Sequence, residues 1–178
     1  IPIKDFESAK VRLSTVLDSN ARADLAKKLA TLVVSACLET PVFIACEDDA
    51  VESWARDLGA EILRNPSEGL NEAVDFGFRS LSERGFESVL ITHGDLVYPS
   101  GLLSLFEMEE IVIVPDSELD GTNVLVLPTN IDFEFSYGPG SYTRHLKSAT
   151  MLEAEVLVVA DSPFSFDIDD PDDLHHVL

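Results

Sequence analysis

Two aspartates near the C-terminal end of the chain, Asp167 and Asp169, have the spacing of a metal-binding pair. They are two residues apart in 166-FDIDD-170, so in an extended segment both carboxylates project from one face, with Phe166 and Ile168 on the other. Like charges this close repel unless a cation lies near them, and oxygen-only ligands suit Mg²⁺. The pair therefore indicates a magnesium site. The alternative is an acidic turn that only faces water.

The other aspartates of this stretch suit the start of a helix. Asp170, Asp172 and Asp173 surround Pro171, where a helix over 171–178 is predicted to begin. Proline is favoured at the first helical position, and negative charge stabilises a first turn. These three carboxylates are therefore predicted to stabilise the helix terminus rather than to bind a metal.

A third candidate ligand, Asp95, follows the apolar run 88-SVLIT-92 after His93 and Gly94. In open α/β sheets, ligands bind beyond the carboxyl ends of the strands. Asp95 is therefore expected at the edge of the sheet where chemistry takes place. An acidic residue in this position can equally be a helix N-cap, and both interpretations stay open on this feature alone.

Three of the twelve basic residues, Lys4, Lys10 and Arg12, lie in one predicted loop, 2-PIKDFESAKVRLS-14. The loop joins a predicted first strand to the first long helix, so it is also expected at the carboxyl edge of the sheet. Such a cluster in an acidic protein indicates contacts with phosphates, although ordinary surface charge is the alternative. The sequence contains neither a P-loop nor a GxGxxG motif.

Two glycine-containing loops could hold an anion. The first is 121-GTN-123, before a predicted strand, and the second is 138-GPGS-141, before a predicted helix. Each offers backbone N–H groups and one hydroxyl, from Thr122 or Ser141, and the second has a helix N-terminus behind it. Gly-Pro-Gly is also a generic turn, so each signal is weak by itself.

The elements that must position these residues alternate between strand and helix. Apolar periodicity predicts helices over 20–38, 48–59, 72–84, 100–107 and 143–151, and strands over 42–46, 61–63, 88–92, 111–115, 123–128 and 155–160. This alternation predicts a three-layer α/β/α sandwich with a mixed, mostly parallel central sheet. We expect a single domain over 1–178, because neither a linker nor a repeat divides the chain.

The net charge excludes several classes of partner. Acidic residues outnumber basic ones by 33 to 12, for a formal charge of −21, which repels nucleic acids and anionic membranes. No apolar run has the length of a membrane span, so a cytoplasmic protein is expected. Small phosphorylated ligands remain compatible with this charge, because a few cations can reverse the potential inside one pocket.

The cysteines and histidines do not indicate a redox or zinc site. Cys37 and Cys46 lie among apolar neighbours without a CxxC spacing and are predicted to be buried free thiols. Three histidines lack the spacing of zinc ligands and are interpreted as structural or solvent-exposed: His93, His175 and His176. On the helix predicted over 143–151, Arg144, His145 and Lys147 could add positive charge beside the second glycine-containing loop, although a lone histidine is more often structural.

Taken in order, these motifs resemble the 2-phospho-L-lactate guanylyltransferase family, over nearly the whole chain. The segments that carry the resemblance are 2-PIKDFESAKVRLS-14, 69-GLNEAV-74, 94-GDL-96, 121-GTNVLVLP-128, 133-FEFSYGPGSYTRH-145 and 167-DIDDPDDL-174. That family is similar to nucleotidyltransferases of the glycosyltransferase-A type and acts in the biosynthesis of coenzyme F(420). The sequence departs from the familiar Asp-Leu-Pro after the strand, since Asp95 is followed by Leu96 and Val97.

The resemblance implies that a phosphate of 2-phospho-L-lactate or phosphoenolpyruvate attacks the α-phosphorus of GTP and expels pyrophosphate. It implies Mg²⁺ as cofactor and the following roles, position by position. Asp95, Asp167 and Asp169 would bind Mg²⁺; Lys4, Lys10 and Arg12 would contact the nucleotide phosphates; Asn71 would lie near the nucleoside; Thr122, Gly138 and Ser141 would hold the acceptor. Lys10, Arg12 and Asp95 would be the catalytic residues.

Two other functions stay open at this point. One is a nucleotidyltransferase for a different small phosphate or a molybdopterin-like acceptor. The other is a non-catalytic acidic domain that binds a cation or a protein. A homodimer is expected from the resemblance and because two-fold dimers are the commonest oligomers.

Overall fold

The computed structural model describes residues 1–64, 69–108 and 110–176. Helices and strands alternate along the chain: α1 is Ser19–Cys37, β1 Phe43–Cys46, α2 Asp49–Asp57, β2 Glu61–Arg64, α3 Leu70–Glu83, β3 Ser88–Thr92, β4 Ile111–Pro115, β5 Thr122–Pro128, α4 Ser141–Met151 and β6 Val156–Val158. Four short 3-10 helices complete the described elements: Val11–Thr15, Leu102–Glu107, Pro163–Ser165 and Pro171–His176.

Two predicted α-helices are shorter 3-10 helices instead. The segment predicted over 100–107 is the 3-10 helix Leu102–Glu107, and the one predicted over 171–178 is the 3-10 helix Pro171–His176, with 177–178 outside the described residues. The second is held by aspartates, because one oxygen of Asp173 accepts from the N–H groups of Asp169 and Asp170 at 2.8 Å each. The prediction that these aspartates stabilise a helix start is therefore confirmed for Asp173.

The strands form two hydrogen-bonded sets. β1 pairs with β2 in parallel, and residues 1–3 continue this set through a parallel bridge between Pro2 and Ala45. The larger set has the order β3-β5-β4-β6. In it β5 is antiparallel to both neighbours, while β4 and β6 are parallel. Three of its four strands thus run in one direction.

Helices cover both faces of this strand layer. On β5, Val124 and Val126 belong to a core with α1 and α2, whereas Leu125 and Leu127 belong to a core with α3 and α4. β1 divides in the same way, since Ile44 lies in the first core and Phe43 in the second. Neighbouring strand residues point to opposite faces, so both faces of each strand are apolar. The predicted three-layer sandwich with a mixed, mostly parallel sheet is confirmed.

A short antiparallel contact brings the C-terminal segment to the end of β3. Leu96 forms a bridge with Asp167, and the N–H of Val97 donates to the carbonyl of Phe166 at 2.9 Å. Ile168 is fully buried beside Val97 in a small core with Leu13. This packing fixes the segment that carries Asp167 against the residues that follow β3.

Cys37 and Cys46 are buried free thiols, as predicted. Within the three described ranges, no helix has both the length and the apolar character needed to span a bilayer.

Candidate active site

The structure brings the three predicted metal ligands together. Asp95, Asp167 and Asp169 each offer one carboxylate oxygen, and these oxygens lie within 4.8 Å of one another. The alternation expected from sequence also holds, because Ile168 is buried in the small core and Phe166 packs against it. Ligand atoms at this separation can share one cation.

Lys10 lies on this acidic cluster although it is 85 residues before Asp95. Its Nζ forms an ion pair with Asp95 Oδ2 and is 3.3 Å from Asp169 Oδ1. The side chain is only 8% exposed, so water screens this charge little. Lys10 also has a left-handed backbone, with φ 55°, a conformation that costs about 1–3 kcal/mol for a residue with a side chain and is typical of functional sites.

Burial and neighbouring charges shift the pKa values of the cluster in different directions. Burial disfavours ionised Asp95, but the charges of Lys10 and His93 outweigh it and hold the pKa of Asp95 below its usual value. Burial also opposes the charge of Lys10, and Asp95 reverses this effect and raises the Lys10 pKa. For Asp167, burial and the charges of Asp95 and Asp169 raise the pKa to about 7. A site that holds so much negative charge is suited to a cation.

Two cavities meet at these carboxylates. The first, here called the basic cavity, has a volume of about 460 Å³ and is lined by residues that include Lys4, Lys10, Arg12, His93, Asp95 and Asp169. The second, here called the glycine-loop cavity, has a volume of about 350 Å³ and is lined by residues that include Thr122, Asn123, Gly138, Ser141 and Asp167. Four residues line both cavities: Arg12, His93, Asp95 and Asp169. The carboxylate cluster thus lies between them.

A further cavity, of about 560 Å³, is lined mainly by apolar side chains and lies between β1 and β3. Phe43, Phe78 and Phe106 contribute to its walls. None of the three clustered aspartates lines it. The two smaller cavities, which the carboxylate cluster joins, are therefore the candidate substrate sites.

The basic residues of the N-terminal loop reach the cluster to different extents. Arg12 is 74% exposed, and its Nη1 lies 3.5 Å from Asp169 Oδ2. Lys4 is exposed on the wall of the basic cavity. Lys10 contacts the acidic cluster directly, whereas Lys4 and Arg12 keep side chains that can turn toward a ligand in the cavity.

The two glycine-containing loops lie side by side, but several of the backbone N–H groups that were expected to bind an anion have partners within the protein. Asp116 accepts the N–H of Gly121, and Asp120 accepts those of Gly140 and Tyr142. These amides are therefore already hydrogen-bonded, because the acidic loop before β5 packs on the start of α4. The two hydroxyls that the sequence indicated remain candidates for a ligand. Thr122 Oγ1 and Ser141 Oγ lie 3.4 Å apart in the glycine-loop cavity.

Gly138 and Gly140 give the second loop its shape. Their φ angles are 108° and 74°, which residues with a Cβ adopt only with strain. Arg144, from the first turns of α4, donates to the carbonyls of Ser136 and Pro139, at 2.8 Å and 2.6 Å for the shortest contacts. Its charge therefore holds the loop instead of extending into the cavity.

Asn71 lies at the start of α3, and its Oδ1 accepts the N–H of Tyr137 at 2.6 Å. Asn71 is not among the described residues that line the basic cavity or the glycine-loop cavity. Its observed contact joins α3 to the loop that carries Gly138. The role near a nucleoside remains a prediction.

Asn123 is a site residue that the sequence analysis did not select. Its Nδ2 donates to Asp167 Oδ1 and to the carbonyl of Phe164, at 3.2 Å each. It is 4% exposed and belongs to β5. A buried amide needs partners, so a polar residue at the start of an apolar strand was a usable signal. Only the fold could show that its partner is Asp167.

The raised pKa of Asp167 predicts that ionisation of this carboxyl lowers the free energy of unfolding of the metal-free protein. A folded pKa of about 7 lies above the ordinary value of 3.8, so the cost of ionising this group appears as pH rises from about 4 to 7. Asp167→Asn should therefore stabilise the protein in EDTA at pH 8, by about 1–3 kcal/mol. At pH 4 the two proteins should be similar.

Urea unfolding with EDTA at both pH values measures this difference. The exposed Asp172→Asn variant is the control for the change in net charge, and we expect it to have little effect at either pH. An Asp167→Asn protein that is less stable than the parent at pH 8 would contradict the prediction.

These features define a class of protein. The fold is shared with a solved structure from Desulfovibrio desulfuricans G20, provisionally described as a nucleotide-diphospho-sugar transferase; the TM-score is 0.83 at 16% identity, covering 99% of this chain and 83% of that one. The acidic cluster and the two polar cavities lie beyond the end of β3, the region where ligands bind in open α/β sheets.

The family is shown by sequence comparison. The family described as "Guanylyl transferase CofC like" matches residues 1–178, and the chain belongs to this family of nucleotidyltransferases. A relative from Rubrobacter xylanophilus, named phosphoenolpyruvate guanylyltransferase, is 36% identical over 98% of this chain and 89% of its own length. One from Methanocaldococcus fervens, named 2-phospho-L-lactate guanylyltransferase, is 27% identical over 100% of this chain and 83% of its own length.

Proposed function

We propose that the protein transfers the guanylyl group of GTP to the phosphate of a three-carbon acid, phosphoenolpyruvate or 2-phospho-L-lactate, and releases pyrophosphate. The observation that carries the proposal is the position of Asp95, Asp167 and Asp169 between the basic and the glycine-loop cavity. The names of the Rubrobacter and Methanocaldococcus relatives support this choice of substrates. We place the reaction in the biosynthesis of coenzyme F(420).

The two cavities fit the two reactants of such a transfer. The triphosphate of GTP would lie in the basic cavity, where Lys4, Lys10 and Arg12 offset its charge. The acceptor would lie in the glycine-loop cavity against Thr122 and Ser141, with Gly138 beside them. An oxygen of the acceptor phosphate then attacks the α-phosphorus. The bond from that phosphorus to the bridging oxygen breaks, and its electron pair leaves with pyrophosphate.

This reaction requires the protein mainly to position the two substrates and to stabilise negative charge on the phosphates. The acceptor phosphate is already an anion, so the attack needs no strong general base. Lys10 and Arg12 would stabilise the charge that develops on the phosphates in the transition state. Asp95 keeps Lys10 in place through their ion pair.

The carboxylates fit Mg²⁺. Asp95 Oδ1 is a buried oxygen without a hydrogen-bond partner among the described residues, and it lies in a cluster of oxygen donors only. When bound, Mg²⁺ would neutralise phosphate charge and help to align the two substrates. Asp95, Asp167 and Asp169 would hold it, with Asn123 fixing the orientation of Asp167.

The first test is pyrophosphate release from GTP and Mg²⁺ with each acceptor. We expect turnover with phosphoenolpyruvate or 2-phospho-L-lactate, and much less when ATP or CTP replaces GTP. EDTA should abolish it, and excess Mg²⁺ should restore it. If neither acceptor gives turnover while another small phosphate does, the protein is a nucleotidyltransferase with a different acceptor. GTP binding that is insensitive to Mg²⁺, without turnover on any acceptor, would favour the non-catalytic alternative.

The same preparation tests the predicted assembly. Light scattering coupled to size-exclusion chromatography should give twice the monomer mass of 19.5 kDa if the protein is the homodimer that we propose.

A further inference from the structure

His145 is the histidine of α4 and is completely buried, with 0% exposure. Its ring packs against Tyr137, with 4.7 Å between ring centroids, and against Phe133 at 5.7 Å. It lies behind the wall of the glycine-loop cavity rather than on it. A buried imidazole needs a partner for each nitrogen, and both partners of His145 come from site segments.

The two nitrogens of His145 have different roles. Nε2 lies 2.9 Å from the backbone N of Ser136, which can only donate, so Nε2 must carry the lone pair. The proton of the neutral ring is therefore on Nδ1. Nδ1 lies 3.0 Å from Thr122 Oγ1 and donates to that hydroxyl. The backbone contact thus selects one tautomer and assigns the direction of the second hydrogen bond.

We propose that His145 is a positioning residue that orients the Thr122 hydroxyl, so that its proton points into the glycine-loop cavity as a donor to an anionic acceptor. The oxygen of Thr122 accepts from His145, which leaves the hydroxyl proton for another partner. With the proton on Nδ1, Thr122 Oγ1 accepts from His145 at 3.0 Å, and it also accepts from Ser141 Oγ at 3.4 Å. This inference rests on the proposed function, in which Thr122 contacts the acceptor.

The donor orientation matters because a carboxylate or phosphate only accepts hydrogen bonds. A free hydroxyl would spend part of its time turned away, and the substrate would have to reorient it on binding. A hydroxyl already fixed by the protein avoids that loss. Burial lowers the pKa of His145 to about 4, with smaller contributions from Arg144 and His93, so the ring stays neutral at the pH of the assay.

Two substitutions separate positioning from packing. His145→Phe keeps a ring but removes both hydrogen bonds, whereas His145→Asn keeps an amide donor near the position of Nδ1. Both lose the contact with Ser136, but His145→Asn also leaves a cavity beside Tyr137 that His145→Phe fills. The comparison is therefore repeated in a background without the Thr122 hydroxyl. We expect the KM for the acceptor to rise about 10- to 100-fold in His145→Phe and only about threefold in His145→Asn, with the KM for GTP nearly unchanged.

A double-mutant cycle tests whether the effect passes through Thr122. In a Thr122→Val background, His145→Phe and His145→Asn should have the same KM for the acceptor, because the hydroxyl is gone. Equal KM values for the two variants in the parent background, or a KM difference that persists in Thr122→Val, would overturn the inference. Equal losses of Tm would show that folding is affected alike in both.

A measurement independent of turnover separates this inference from the proposed function. Nitrogen-15 NMR of the histidine rings should show His145 with the proton on Nδ1 in the parent protein. A proton on Nε2 overturns the positioning role even if the enzyme is active. If the expected tautomer is found but neither acceptor substrate gives turnover, the proposed function is rejected. The proposed contact between Thr122 and the acceptor substrate is then rejected as well.

Discussion

Asp167→Asn should lower the rate of pyrophosphate release by at least about 1000-fold, because it removes a charged ligand from a proposed metal site that depends on carboxylates. The substitution conserves shape, and its amide oxygen can still accept from Asn123. The loss should therefore not come from misfolding. Asp95→Asn and Asp169→Asn should reduce the rate as well, since all three oxygens belong to one cluster.

Pyrophosphate release at increasing Mg²⁺ concentration is the measurement. Asp172→Asn is a matched control in the same segment, with the same change of charge on an exposed residue outside the cluster. It should retain nearly full activity. If Asp167→Asn and Asp172→Asn behaved alike, the clustered aspartates would only be surface charge near the site. The loss of activity should come without a loss of stability, because the same substitution should stabilise the metal-free protein at pH 8.

Lys10→Met should reduce kcat/KM for GTP by about 100- to 1000-fold, the second largest effect that we predict. Lys10 is the buried cation of the cluster, and its ammonium group would lie between the triphosphate and the carboxylates. Its removal leaves Asp95 buried without the charge that lowers its pKa. Mg²⁺ should therefore raise the Tm of the variant more than it raises the Tm of the parent.

Kinetics with varied GTP, together with thermal unfolding with and without Mg²⁺, test both expectations. Lys28→Met, on the exposed face of α1, removes the same charge far from this ion pair and should change neither quantity appreciably. An active Lys10→Met protein whose Tm responds to Mg²⁺ like that of the parent would exclude the role of Lys10. Lys10→Arg should recover only part of the activity, because a planar guanidinium does not replace a compact ammonium in a buried ion pair.

The sequence was sufficient to predict most elements, because helices and strands differ in the period of their apolar residues. β3 has the bounds predicted for it, and α1 and β1 differ from theirs by a residue or two. Short segments were less predictable. Leu102–Glu107 and Pro171–His176 form 3-10 helices, since few residues and nearby capping groups decide between helix types.

Part of the site could also be predicted locally. Asp167 and Asp169 were selected by their spacing, and the buried Ile168 between them confirms that they share an alternating segment. Asp95 was selected by its place after β3. The structure adds that the three carboxylates meet, whereas their binding of Mg²⁺ stays a prediction.

The sequence by itself determined most of the helices and strands, the acidic charge of the chain, and which residues carry suitable chemistry. Each of these properties depends on residue type and short spacing. Only the tertiary structure decided which of those residues meet. β5 enters the sheet antiparallel and carries Asn123 to Asp167, and the loop before α1 places Lys10 on Asp95. α4 places His145 behind Thr122. These contacts join residues 23 to 85 positions apart, and no local pattern specifies them, since they follow from how the packed layers bring distant segments to one edge of the sheet.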